Sequence, residues 1–238
     1  MTGLFEAPVL IPPTTTSYLY IVETTNPSHE YHYSRRFLST NHLIRGYYYQ
    51  RQEACHAAAR IIRQAFDIAI QNGKTDESHF YGPYNILLSY LFPLGEKYVV
   101  VPQCKKPTEL KSADFTTTFV VNHKHHPAFF AEIKSSESLQ CAGSCEQADL
   151  QMRERFGHLF EDVEISTLYG ASAMGTKICM YKLDRASRRL SPTLIPRNPN
   201  FIINTAPINR WDLDIMTPEG EEEFCKVVQE IKKMSCRL

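Results

Sequence analysis

The chain lacks several features that would have settled its class. No apolar run approaches the roughly 18 residues that a membrane-spanning helix needs, so no span and no membrane partner are expected. The start, Met1-Thr2-Gly3-Leu4-Phe5-Glu6, has neither the basic stretch nor the sustained apolar stretch of a secretory signal. An excess of one charge is missing as well: Lys+Arg 26 balance Asp+Glu 26, for a net charge of zero. Non-specific nucleic-acid affinity comes mostly from neutralising phosphates, so this balance argues against it over the whole surface. A local basic groove is still open, with Arg153, Arg155, Arg185, Arg188, Arg189 and Arg197 as its candidates. There is no glycine-rich phosphate loop, because Gly170 and Gly175 lack the flanking residues. There is no Gly-x-Ser-x-Gly elbow for a serine nucleophile, and no internal repeat. Seven cysteines, an odd count without a secretory start, point to a reduced intracellular protein, cytoplasmic or nuclear.

What is present suits one elaborated domain over 1–238, since 238 residues bury a substantial core. Residues 1–49 read as an extension rich in Pro, Thr and Tyr, with a short strand at Ser17 to Val22. From Gln50 to Gln71, Ala54, Ala57, Ala58, Ile61, Ile62, Ala65 and Ile68 recur at helical spacing, and Asn72-Gly73 stops the helix. Asn85 to Phe92 reads as a second, short helix. Three strands follow, Tyr98 to Val101, Asp114 to Val121 and Ala128 to Lys134, with links that suit an antiparallel meander. Ser144 and Gln147 fit a capping box for the next helix, in which Leu150, Met152, Phe156, Leu159 and Phe160 can face a core. A hairpin over Ser166 to Leu183 turns at Met174-Gly175, and peripheral strands are expected at Phe201 to Asn204 and Arg210 to Ile215. Thr217 and Pro218 open a final amphipathic helix with an acidic start and a basic end, as the helix dipole favours.

Asp114 on one strand and Glu132-Ile133-Lys134 at the end of the next carry the chemistry. The Glu-x-Lys triplet is common here, recurring at Glu109-Lys111 and Glu230-Lys232. Only Glu132 ends an apolar strand-like run, Ala128-Phe129-Phe130-Ala131. Alternation then puts Phe130, Glu132 and Lys134 on one face, and Phe129, Ala131 and Ile133 on the other. Two carboxylates suit a hard cation that prefers oxygen, and a lysine beside it can orient a water or meet charge on a phosphate.

With these residues in the order helix, three strands, helix, strand, the chain resembles the PD-(D/E)XK nuclease superfamily over roughly residues 50–183. Ala113 stands where that family usually has Pro. The resemblance implies an α/β, restriction-endonuclease-like core with an N-terminal extension and, over 184–238, a C-terminal elaboration ending in the amphipathic helix. It implies a Mg2+- or Mn2+-dependent nuclease acting on DNA or RNA, and it admits a homodimer, which many duplex-cleaving members form. Asp114 and Glu132 would bind the metal, with the Ile133 carbonyl as a further ligand and Glu53 on the first helix as another. Lys134 would position the attacking water. Gln147 and Gln151, one turn apart on the helix after the third strand, are the polar residues this family often aims into the site. The chain is also similar to uncharacterised proteins of mushroom-forming fungi, through Phe129 to Ser135, Ala148 to Arg153 and Thr217 to Glu221, a likeness that carries no function.

Two other readings stand beside the nuclease. One is a catalytically inactive member of the same fold, serving as a binding or scaffold module; neutral charge and the tyrosine-rich start suit it. The other is a zinc-stabilised interaction protein, using His123, His125 and His126 before the third strand and Cys141 and Cys145 after it.

Overall fold

The computed structural model describes residues 57–73, 75–105 and 116–238, the side chains of 103–105 and 116–117 excepted. The expected strand at Ser17 to Val22 and the start of the first helix lie outside that range.

Helix α1 (57–72) ends just before Gly73, as its sequence requires. Its buried stripe is Ile62, Phe66 and Ala69, while Ile61 and Ile68 face outward. Helix α2 (Ser78–Leu91) is longer than its sequence suggests, running through Gly82-Pro83. That dipeptide reads as a breaker, yet Phe80, Pro83, Tyr84, Leu87, Leu88 and Leu91 are all buried at helical spacing. Tertiary burial outweighs the hydrogen bond that Pro83 cannot donate.

Strands β1 (Tyr98–Lys105), β2 (Thr116–His123) and β3 (His126–Lys134) form the expected antiparallel meander. β1 continues past Pro102, where the sequence predicts its end. It is the end strand of the sheet order, the position where a strand tolerates a missing N–H. Helix α3 (Ala142–Leu159) then carries the chain to β4 (Thr167–Met174), which pairs parallel to β3. β4 turns into β5 (Lys177–Asp184), followed by β6 (Arg189–Ser191) on the edge and the short β7 (Leu213–Asp214), which also pairs with β5. The sheet is thus open and mostly antiparallel, in the order β1-β2-β3-β4-β5-β6. The final helix, α4 (Pro218–Ser235), is capped as read, with the Gly220 N–H donating to Thr217 Oγ1 at 3.1 Å.

Three sequence expectations fail locally. The Ser144–Gln147 capping box does not form, because α3 starts at Ala142 with Cys141 at its N-cap. Leu150 is exposed; the inward stripe runs through Cys145, Ala148, Asp149, Met152, Arg155 and Phe156 instead. Residues 201–204 form no strand beyond an isolated bridge from Asn198 to Phe201; the strand expected over 210–215 is present only as β7, after the 3-10 turn Ile208–Trp211.

Helices cover both faces of the sheet. Phe129 stacks on Phe92 and meets Phe224 edge-on, which places α4 and the end of α2 over one face. Phe66 of α1 meets Tyr84 of α2 in the same layer. Phe130 faces the other way and packs against Phe156 of α3.

Candidate functional site

Strand alternation turns Glu132 and Lys134 toward α3. Phe129, Ala131 and Ile133 fill the opposite layer, so the face assignment made from sequence holds. Glu132 is 4% and Lys134 7% exposed. Glu132 does not stand as an isolated charge, being engaged by a neighbour. Its ladder partners are Thr118 on β2 and Ser172 on β4, and Cys179 of β5 faces Ser172 in turn. A polar row, Thr118, Glu132, Ser172 and Cys179, therefore crosses the sheet beneath the helix. The Trp211 indole N–H donates to Ser172 Oγ at 3.3 Å. Burial pushes the Cys179 thiol up to about 12, so it is no thiolate nucleophile near neutral pH.

The end of β3 is held in place by the β4–β5 turn. The Gly175 N–H donates to the Lys134 carbonyl at 3.0 Å, and the Tyr84 hydroxyl donates to the Gly175 carbonyl at 2.8 Å. Gly175 has φ +63°, and a Cβ there would approach Ser136 Cβ to 2.7 Å. Only glycine accepts both conditions. The backbone that carries Lys134 is thereby fixed from β4 and α2 together.

Helix α3 brings three polar residues along one stripe, at 147, 151 and 155. Gln147 is exposed. Gln151 is partly buried, and its Oε1 is buried without a hydrogen-bond partner. Arg155 is 8% exposed; its Nη2 donates to Thr118 Oγ1 at 2.9 Å, while its Nε is buried without a partner. The sequence offers Arg155 only as one of six candidates for a basic groove; its place on the buried stripe follows from helical spacing to Met152 and Phe156.

The neighbouring stripe of α3 is built differently. Asp149, 2% exposed, accepts from Arg153 at 2.8 and 3.0 Å, from Arg210 at 2.7 Å and from the Tyr181 hydroxyl at 2.8 Å. The same arginines donate to the carbonyls of Pro192 (2.8 Å) and Thr193 (2.9 Å). Every charge in this cluster is answered, and it ties the segment around 192–193 to α3. Burial, reinforced by Cys179 and by the Asp149 carboxylate, pushes the Tyr181 phenol far above its ordinary range.

Two of the expected ligands, Asp114 and Glu53, lie outside the described residues. The residue facing Glu132 across the β2–β3 ladder is Thr118, and Asp114 precedes it by four positions. Asp114 lies two positions before Thr116, the first residue of β2. That tether is about 7 Å at most. Among the described residues, no group of three or more His, Cys, Asp or Glu side chains is placed to hold a metal ion.

Four of the six arginines proposed for a basic groove have partners within the protein. Arg197 pairs with Glu146, Arg153 with Asp149, Arg185 donates to the Glu164 carbonyl, and Arg188 lies over the Phe160 ring. The histidine and cysteine pairs do not meet. His123, His125 and His126 form the turn that opens β3, whereas Cys141 and Cys145 open α3 beyond its other end. β3, nine residues and about 26 Å long, lies between the two groups in the chain. His126 instead contacts the Asp162 carbonyl at 3.1 Å and Glu164 at 3.2 Å.

No family model, curated protein or solved structure matches the chain. No helix among the described residues is long and apolar enough to cross a membrane.

Proposed function

We propose that the chain is a metal-dependent phosphodiesterase of the restriction-endonuclease-like type, acting on DNA or RNA. The observation that carries this reading is the shared burial of Glu132 and Lys134 on one face of β3, beneath α3. Two ionisable side chains buried on one strand face mark a candidate functional site. The element order helix, three antiparallel strands, helix, parallel strand supports it as well.

The donor chemistry fits a hard cation in part. Glu132 supplies one carboxylate, and the hydroxyls of Thr118 and Ser172 flank it on the neighbouring strands. Asp114 supplies the second carboxylate in this reading, reaching the site through its short tether to Thr116. With the Ile133 carbonyl these residues would hold Mg2+ or Mn2+. The cation would contribute a Lewis acid and a more acidic water.

The chain's own residues do the rest. Lys134, fixed by the Gly175 turn, orients the water and meets negative charge growing on the phosphoryl oxygens. Its backbone is held before substrate arrives, so little reorganisation is needed during the reaction. The covering helix limits access of bulk water, which strengthens each of these electrostatic effects.

The test is cleavage of labelled DNA and RNA, single- and double-stranded, with Mg2+ or Mn2+. Wild type cleaves at least one of them; Glu132→Gln and Lys134→Met each lower the rate at least about a hundredfold at unchanged melting temperature. Absence of cleavage with every substrate and both ions removes the enzyme reading. A second reading, a non-cleaving module of the same fold, is favoured by the depth at which Glu132 and Lys134 lie. Binding without cleavage would select it.

A further inference from the structure

We propose that Arg155, seated by Thr118 and flanked by Gln151, is a phosphate-binding residue that receives the nucleic-acid backbone next to Glu132 and Lys134. This rests on the phosphodiesterase reading for the chemistry of its ligand, but not for the site itself.

Three observations carry it. Arg155 is more than nine-tenths buried, yet no carboxylate among the described residues lies within ion-pair distance of it. Its single hydrogen bond among those residues goes to a neutral hydroxyl, Thr118 Oγ1, and its Nε–H is orphaned. A buried guanidinium without an anion is an expensive arrangement, and it implies that an anion completes it. Two nearby arginines supply the control: Arg153, two positions earlier on the same helix, and Arg210, in the 3-10 turn Ile208–Trp211, are also largely buried, and both are paired with Asp149.

Position gives the identity of the anion. Thr118 stands opposite Glu132 and diagonal to Lys134 on the same sheet face. Diagonal neighbours of this kind lie about 7–8 Å apart, a separation that the oxygens of one phosphate group and two long cationic side chains readily bridge. The guanidinium fork presents Nε and an Nη edge to two oxygens at once, as phosphate recognition favours. Gln151, one turn before Arg155, leaves its Oε1 orphaned beside this edge. An acceptor there suits a water or a sugar hydroxyl, not a second anionic oxygen.

The experiment uses the full chain and fluorescein-labelled twelve-nucleotide probes: single-stranded DNA, single-stranded RNA and duplex DNA. Polarisation is read in EDTA, so that neither metal nor cleavage is required. Arg155→Met should bind its best probe about tenfold more weakly than wild type, with a salt slope smaller by about one. Arg155→Lys should regain the slope but only part of the affinity, because an ammonium lacks the fork. Inorganic phosphate should compete only at far higher concentration than the oligonucleotide. Competition at similar concentration would instead identify a free-phosphate site and overturn the backbone assignment.

Equal affinity and slope for wild type and Arg155→Met overturn the proposal. So does a lowered melting temperature with unchanged affinity, which marks a purely structural arginine, and so does a wild type that binds no probe. If Arg155→Met does not fold, Thr118→Val removes only the seating hydroxyl. It should weaken binding about threefold with the salt slope kept, and unchanged affinity would count against the subsite. The two readings fail separately. A wild type that binds through Arg155 but never cleaves keeps the subsite and removes the hydrolase. A wild type that cleaves, with KM unmoved in Arg155→Met, does the reverse.

Discussion

Thr118 of β2 stands directly opposite Glu132 of β3, and its hydroxyl accepts a 2.9 Å hydrogen bond from Arg155 of α3. One small side chain thus links the acid-bearing strand to the helix that covers it. The pairing register makes this link and strand alternation aims it. The fold reaches the same spot from three elements, β2, β3 and α3.

The Asp149 cluster holds α3 at the angle that this link requires. Asp149→Ala leaves two largely buried arginines and the Tyr181 hydroxyl without their common acceptor. Breaking a buried pair from one side costs about 3–5 kcal/mol, and that loss is expected in urea denaturation. A loss below about 1 kcal/mol would mean that solvent already shares the charge.

Gly220 sits where α4 presses on β7. A Cβ at this position would lie 1.8 Å from the Asp214 carbonyl oxygen and 2.5 Å from its carbon. Backbone cannot yield as a flexible side chain can, so Gly220→Ala is expected to cost about 3 kcal/mol or more. Its melting temperature against wild type checks this, and an unchanged value would show that α4 shifts freely.

Thiol reactivity should single out Cys141 over Cys145, Cys179 and Cys225. The Ser144 N–H, the Ser144 side chain and the Gly143 N–H all favour the Cys141 thiolate and lower its pKa, and the side chain is exposed. Burial raises the thiols of Cys145, Cys179 (to about 12) and Cys225 (to about 11). A lowered pKa means more thiolate at a given pH, so the pH midpoint for alkylation of Cys141 should fall below the ordinary thiol range. Peptide mapping after brief iodoacetamide treatment at pH 7 should find Cys141 labelled first of the four. Earlier labelling of Cys145 would contradict the helix start at Ala142.

The meander, the faces of β3, the β4–β5 hairpin and the last helix were legible in the sequence because each rests on local pattern. Alternation from Phe129 to Lys134 needs no distant partner, and Thr217-Pro218 caps α4 by its own geometry. What failed depended on burial by remote elements. Pro83 is tolerated inside α2 because the surrounding core covers both of its flanks. The Ser144 cap lost to a start three residues earlier, and Arg155 lies inward because it shares a face with Met152 and Phe156 at helical spacing, whereas Leu150 does not. The shared face of Glu132 and Lys134 on β3 was legible in the same way. The burial of Arg155 was not, nor was its lack of an ion-pair partner among the described residues, because neither leaves a mark in the sequence. The zinc pairs looked close only along the chain, since the full length of β3 separates them.

Manganese binding to the full chain, followed by electron paramagnetic resonance, tests the central claim most directly. If Asp114 and Glu132 share a cation beside Lys134, wild type binds one Mn2+ per chain and Mg2+ displaces it. Asp114→Asn and Glu132→Gln each remove that binding while the melting temperature of the metal-free protein stays within a few degrees. Absence of saturable Mn2+ binding in wild type, or binding that survives Asp114→Asn unchanged, would contradict the account.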